Sequence, residues 1–125
     1  MVPDVSFNNR PLAFASADEF ERALQGFDSE PQFELWASVP DGPSICMLRN
    51  ARHAWLMYLR FPGDSGFNTT GDASLTGMAH YTLGNGQVDE YPLSWCVEVS
   101  QCYKAMLHFV STGGDKAQWL AWHES

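Results

Sequence analysis

Between Gln32 and Phe61 three apolar segments follow one another with only short turn-forming stretches between them, and the last is apolar on both faces. From Gln32 to Ser38 the residues alternate, with Phe33, Leu35 and Ala37 on one side and Gln32, Glu34, Trp36 and Ser38 on the other. That is the period-two pattern of a half-buried strand. Asp41-Gly42-Pro43 supplies turn chemistry, Ile45 to Leu48 form the next apolar run, and Asn50-Ala51-Arg52 permit a reversal into Ala54 to Phe61. Sequential strands joined by short turns predict an antiparallel meander. Because Trp55 to Leu59 has no polar side, this strand is expected at the centre, covered by helix on at least one face.

Helical signals flank the meander. Ser16-Ala-Asp-Glu19 matches the capping box, in which a serine hydroxyl and a glutamate carboxylate satisfy free N–H groups at a helix start. A helix is predicted over about 17–25, with Phe20, Leu24 and Phe27 as its apolar stripe and Gly26 as its stop. Near the C-terminus, Tyr103, Met106, Leu107 and Val110 recur at helical spacing, which predicts a second helix over about 100–112, capped near Ser100 and ended by Gly113. Between them, Gly66 to Leu75 reads as a polar loop and Met78 to Leu83 as a strand. Asn85-Gly86 gives a hairpin of type I′, and Gln87 to Tyr91 is the returning strand, limited by Pro92. Trp95 to Val97 and Gln118 to Trp122 are further strand candidates. The expectation is one α+β domain over 1–125, mainly an antiparallel sheet of about five to seven strands with an N-proximal and a C-proximal helix.

Composition narrows the function. The chain has 125 residues, 45% apolar and 14% aromatic, enough to build a core and too many to stay disordered. Cys46, Cys96 and Cys102 lack C-x-x-C spacing and read as small buried apolar groups, and the first residues lack the basic and apolar parts of a signal peptide. A cytoplasmic location is expected. No stretch approaches the ~20 apolar residues of a membrane span. The net charge is -8, and residues 18 to 41 hold Asp18, Glu19, Glu21, Asp28, Glu30, Glu34 and Asp41 against Arg22 alone. Such a surface repels phosphate backbones and attracts a basic protein partner; it also serves simply as a solvated, solubilising face.

Catalytic motifs begin in this chain and are not completed. Gly63-Asp64-Ser65-Gly66 resembles the nucleophile loop of a serine hydrolase, but Phe67 stands where a glycine should follow, and the only upstream histidine is His53. A small hydrolase using Ser65 is the enzymatic alternative. A nonenzymatic small-ligand pocket between sheet and helices is another. Gly66 to Gly71 fails as a phosphate loop because Asp72-Ala73 replaces the lysine and hydroxyl residue that bind phosphate and metal. The histidines and cysteines have no compact ligand spacing, so neither a metal nor a cofactor is expected. The nucleobase-deaminase signature is also missing.

Three segments taken together carry a more specific signal: Tyr58-Leu-Arg-Phe-Pro-Gly-Asp-Ser-Gly-Phe67, Leu83-Gly-Asn-Gly-Gln-Val-Asp-Glu-Tyr-Pro92, and Phe109-Val-Ser-Thr-Gly113 leading to Trp119-Leu-Ala-Trp-His-Glu124. In that order they resemble the first-numbered family of immunity proteins of bacterial polymorphic toxin systems. Gly84 departs from the serine more usual there. The resemblance implies a nonenzymatic α+β protein that binds and silences a cognate toxin domain, often of the deaminase type, with 1:1 stoichiometry. The acidic balance and the lack of a long apolar stretch lead to no expected direct contact with nucleic acid or membrane. Asp64, Asp72, Asp89 and Glu90 lie in or beside predicted loops and are acidic candidates for toxin contact, with Trp36 and Tyr91 as aromatic anchors. Pro62, Gly63, Gly66, Asn85, Gly86 and Pro92 are expected to shape turns. Phe61 and Phe67 are expected to plug the loop into the core, and Trp119 and Trp122 to pack the last strand.

Overall fold

A computed structural model describes residues 2–125. Its centre is the expected meander: β3 (Phe33–Ser38), β4 (Ser44–Arg49) and β5 (Ala54–Leu59), paired antiparallel with Leu35 opposite Met47 and Met47 opposite Leu56. In β3 every second residue is buried, and β5 is covered on both faces. Seven strands form the main sheet, in the order β2-β1-β3-β4-β5-β6-β9, with β1 at Asp4–Phe7, β2 at Arg10–Leu12, β6 at Phe67–Thr69 and β9 at Trp122–Glu124.

Two helices lie on one face of this sheet. Helix α1 (Ala17–Gly26) contributes Phe20 and Leu24, and α2 (Val99–Thr112) contributes Cys102, Ala105, Met106, Phe109 and Val110. They bury Phe33, Leu35, Ala37, Ile45, Met47 and Leu56 without solvent exposure. Fully burying a side chain of this kind is worth roughly 1.5–3 kcal/mol, so this layer is the main source of stability. The other face is only partly covered. A separate hairpin, β7 (Met78–Thr82) with β8 (Val88–Pro92), sets Ala79 and Tyr81 on Cys46, Leu48 and Trp55, making a second, smaller core.

The helix caps differ from expectation in detail. Ser16 Oγ accepts from Glu19 N (3.3 Å) as the capping box requires, but Glu19 reaches back to Ala15 N (3.2 Å). Gly26 does not stop α1 in a left-handed conformation: its φ is -77°, and the chain continues into a 3-10 turn over Phe27–Ser29. Helix α2 starts at Val99 with Glu98 as N-cap, and no side chain caps it, at Ser100 or elsewhere. Gly113 ends it with φ 75°, as expected.

Four strand expectations need correction. The polar run from Phe67 is strand β6 and not loop, because its polar groups are internally bonded: Thr69 Oγ1 accepts from Leu56 N (3.1 Å) and donates to the Trp95 carbonyl (2.9 Å). Trp95 to Val97 is a 3-10 turn over Leu93–Trp95 followed by a single bridge from Val97 to Ala54. The last strand begins only at Trp122, with Gln118 to Leu120 in a turn. The β7–β8 loop is not type I′: Gly86 has positive φ (88°) and Asn85 does not, so a type I turn at Gly84-Asn85 is followed by a left-handed glycine. The type I′ geometry occurs instead at Asn8-Asn9 (φ 50° and 66°), joining β1 to β2 in a hairpin the sequence reading had not identified.

Candidate functional site

The Gly-Asp-Ser-Gly loop follows β5 and is locked by its own first charge. Asp64 Oδ2 accepts from the backbone N and the Nε of Arg60, and Oδ1 accepts from the second guanidinium nitrogen, each at 2.9 Å. The Asp64 side chain is only 3% exposed, and this clamp holds its carboxyl well below the usual carboxylate range. Gly66 is required where it stands. Its φ is 81°, and a Cβ there would come within 2.6 Å of Leu59 Cδ2 and 2.8 Å of the Tyr58 carbonyl oxygen. Phe67 anchors the far end as expected, packed against the main core with Lys116 Nζ 3.9 Å from its ring centroid. Phe61 does not plug the loop. It is 51% exposed, and Pro62, Gly63 and Ser65 around it are exposed too. Among the described residues no histidine is hydrogen-bonded to Ser65; His80 pairs with Glu90 (2.9 Å), and His123 bonds Thr70 Oγ1 (2.8 Å).

Three of the candidates gather on one side of the molecule. Trp36 lies half-buried on the sheet face that carries the hairpin, and its Nε1 donates to Glu34 Oε2 (2.8 Å). The other oxygen, Glu34 Oε1, accepts from Gly84 N (3.0 Å), so one carboxylate ties the sheet, the indole and the hairpin turn together. Tyr91 packs its ring against Trp55 (4.4 Å between centroids) and Trp95 (6.0 Å), and burial pushes its hydroxyl up. Its OH donates to Asp89 Oδ2 (3.3 Å), and Asp89 Oδ1 accepts from Gln87 Nε2 (2.7 Å). Tyr91 is thus a core residue with a polar tip at the surface.

The remaining candidates lie elsewhere. Glu90 is on the outer side of the hairpin with the exposed Met78 and Val88, paired to His80. Asp72 caps its own loop through Ser74 N (2.9 Å) and Ser74 Oγ (2.6 Å), which lowers its pKa. It lines a cleft with Arg52, His53, Leu75 and Trp119. Trp122 packs against the main core as expected and donates to the Ala117 carbonyl (2.9 Å). Trp119 does not pack the last strand. It is 50% exposed, fixed by Gln101 Oε1 (3.1 Å) and by the edge of His108 (5.3 Å). Glu34 and Asp4 were not singled out from sequence, although the alternation of β3 had already put Glu34 beside Trp36 on one face.

Among the described residues these groups form no catalytic cluster, and Trp36 and Tyr91 share a surface on which aromatic tips are held by carboxylates. The family model for Immunity protein Imm1 matches residues 9–124. The chain belongs to the Imm1 family of immunity proteins. Comparison with curated proteins finds no match. The Imm1 match extends over β2, α1, β3 and β4, well beyond the three motif segments that carried the resemblance. Membership makes a toxin protein the partner for which an Imm1 surface is built. Arg60, Asp64 and Gly66 fix the shape of the loop at Ser65.

Proposed function

We propose that this chain neutralises one cognate toxin domain of a bacterial polymorphic toxin system by binding it 1:1 in the cytoplasm and covering its active site. The observation that carries the reading is the Imm1 match over nearly the whole chain. The acidic balance, 15 Asp and Glu against 7 Lys and Arg, supports a toxin that acts on nucleic acid, such as a deaminase, because such a toxin presents a basic cleft. The inhibitor then gains association rate from steering and competes with the substrate for the same charges.

Such an inhibitor needs an interface of roughly 1,600 Å² with a few buried aromatic or charged centres. Trp36, Asp89 and Tyr91 on one face, and Asp72 and Glu90 on others, are the contact candidates. Asp64 serves as loop support in this reading, because its carboxylate is spent on Arg60. Coexpression with the toxin domain encoded beside this chain tests the proposal: growth is restored, and the two proteins copurify. Unrelieved toxicity with no copurifying complex overturns it.

A further inference from the structure

The hairpin β7–β8 covers only part of its sheet face. It lies over Leu48, Trp55 and Cys46, all at most 5% exposed, whereas the neighbouring positions on β1, β3 and β4 stay open. Strand register sets Ser6 beside Trp36 and Trp36 beside Cys46, with Asp4, Ser38 and Ser44 aligned in the adjacent row. Asp4 is exposed, and Ser6, Trp36, Ser38 and Ser44 are half-buried. Ser44 Oγ donates to Ser38 Oγ (3.0 Å), so the serines satisfy one another and leave a flat polar floor. An open cleft of about 510 Å³ runs from Trp36 and Ser38 past Asp4 and Ser6 to the apolar Pro11, Leu12 and Phe14.

Among the described residues, the charged side chains on this face are of one sign. No lysine or arginine occupies a paired position on it: Arg10 and Arg49, the two bases within paired strands, belong to the helix-covered face through Phe7 and Phe33. Asp4 and Glu34 stand on the sheet. Asp89 flanks it from the hairpin, next to Tyr91, whose hydroxyl is close enough to Glu34 to feel its charge. Two other surfaces lack one half of this combination. The cleft beside α1 sets Glu21 and Asp28 around Tyr103 but includes Lys104, and the Trp119 clefts mix Lys104 and Arg52 with Asp72 and Glu98.

We infer that the shelf around Trp36 is the docking surface for the toxin, and that it receives a basic segment whose arginine or lysine side chains lie across the indole and against Asp4, Glu34 and Asp89. This rests on the reading of the chain as a toxin inhibitor. The indole is suited to the role because Glu34 fixes its orientation before binding, which reduces the ordering cost at the moment of association. A guanidinium over the face of a tryptophan and within reach of carboxylates gains both cation–π and ionic attraction. Trp36 acts as the centre and the serines as the water-excluding surround.

The test uses the full chain and the catalytically inactivated toxin domain encoded beside it, with affinity measured by calorimetry and folding checked by near-ultraviolet circular dichroism. Trp36→Ala is expected to weaken the complex by about 100-fold, as removal of a central aromatic does. Because Trp36 also touches the smaller core, Ser38→Arg is the second variant: it leaves Trp36 and the apolar packing in place, gives up only the Ser44 hydrogen bond, fills the shelf and adds a positive charge to it, and is expected to weaken binding by about 30-fold or more, while Trp119→Ala stays within about threefold. Folded Trp36→Ala and Ser38→Arg proteins that bind as wild type overturn the site and leave the inhibitor reading standing. A wild-type chain that neither binds nor neutralises this toxin overturns both.

Discussion

Asp64 and Gly66 show how single residues hold a surface loop in one shape. The Asp64 carboxyl is depressed chiefly by its hydrogen bonds to the Arg60 side chain, then by the Arg60 backbone N–H. A group whose folded pKa lies below its unfolded value, about 3.9 for aspartate, contributes stability fully above that value and loses it as pH falls through the folded one. Asp64→Asn is therefore expected to lower the melting temperature at neutral pH, and the gap to wild type should narrow only below about pH 4. A gap that is constant down to pH 2 would show that the clamp does not depend on charge. Gly66→Ala should cost about 2 kcal/mol in urea unfolding, since a non-glycine residue at positive φ is strained by itself and the new methyl meets the Tyr58 carbonyl as well.

At the scale of elements, the fold depends on how the hairpin β7–β8 sits against the hairpin β1–β2. Gly84 lies against the Asn8 backbone so closely that a Cβ would approach Asn8 C to 2.6 Å and Cα to 2.8 Å. Gly84→Ala should push the hairpins apart and cost about 1–3 kcal/mol, as overpacking does, with greater proteolysis between residues 77 and 93 as the accompanying signal. An unchanged stability would mean that the turn relaxes freely. The same contact separates what was legible in the sequence from what was not. The meander and both helices could be read because their patterns are local: alternation in Phe33 to Ser38, and helical spacing in Tyr103 to Val110. Strand β6 could not, because the polarity of Asn68 and Thr69 is neutralised by partners far along the chain, Ser125 and Trp95. Trp36 was legible as a surface candidate from the parity of its strand. The shelf around it was not, since Asp4 and Ser6 join through the long-range pairing of β1 with β3 and Asp89 through a tertiary contact.

For the whole molecule, the separation of layers assigns separate tasks. The helix-covered face carries most of the buried apolar surface and the stability that follows from it, which leaves the opposite face free to remain half open beside a small hairpin. The excess of negative charge then acts at a distance. With a Debye length near 10 Å at 0.1 M salt and about 30 Å at 0.01 M, association with a basic toxin should slow by about tenfold or more between these conditions, while dissociation changes little. A rate that is flat in salt would place the affinity in apolar contacts alone. The central claim is that this Imm1 chain inhibits by occupying its toxin's active site, and titration of toxin activity tests it most directly. With the purified toxin domain held well above the dissociation constant, activity should fall linearly to zero at one equivalent of this chain, and a complex of one copy each should elute as a single species. Full toxin activity in the presence of excess folded chain would contradict it.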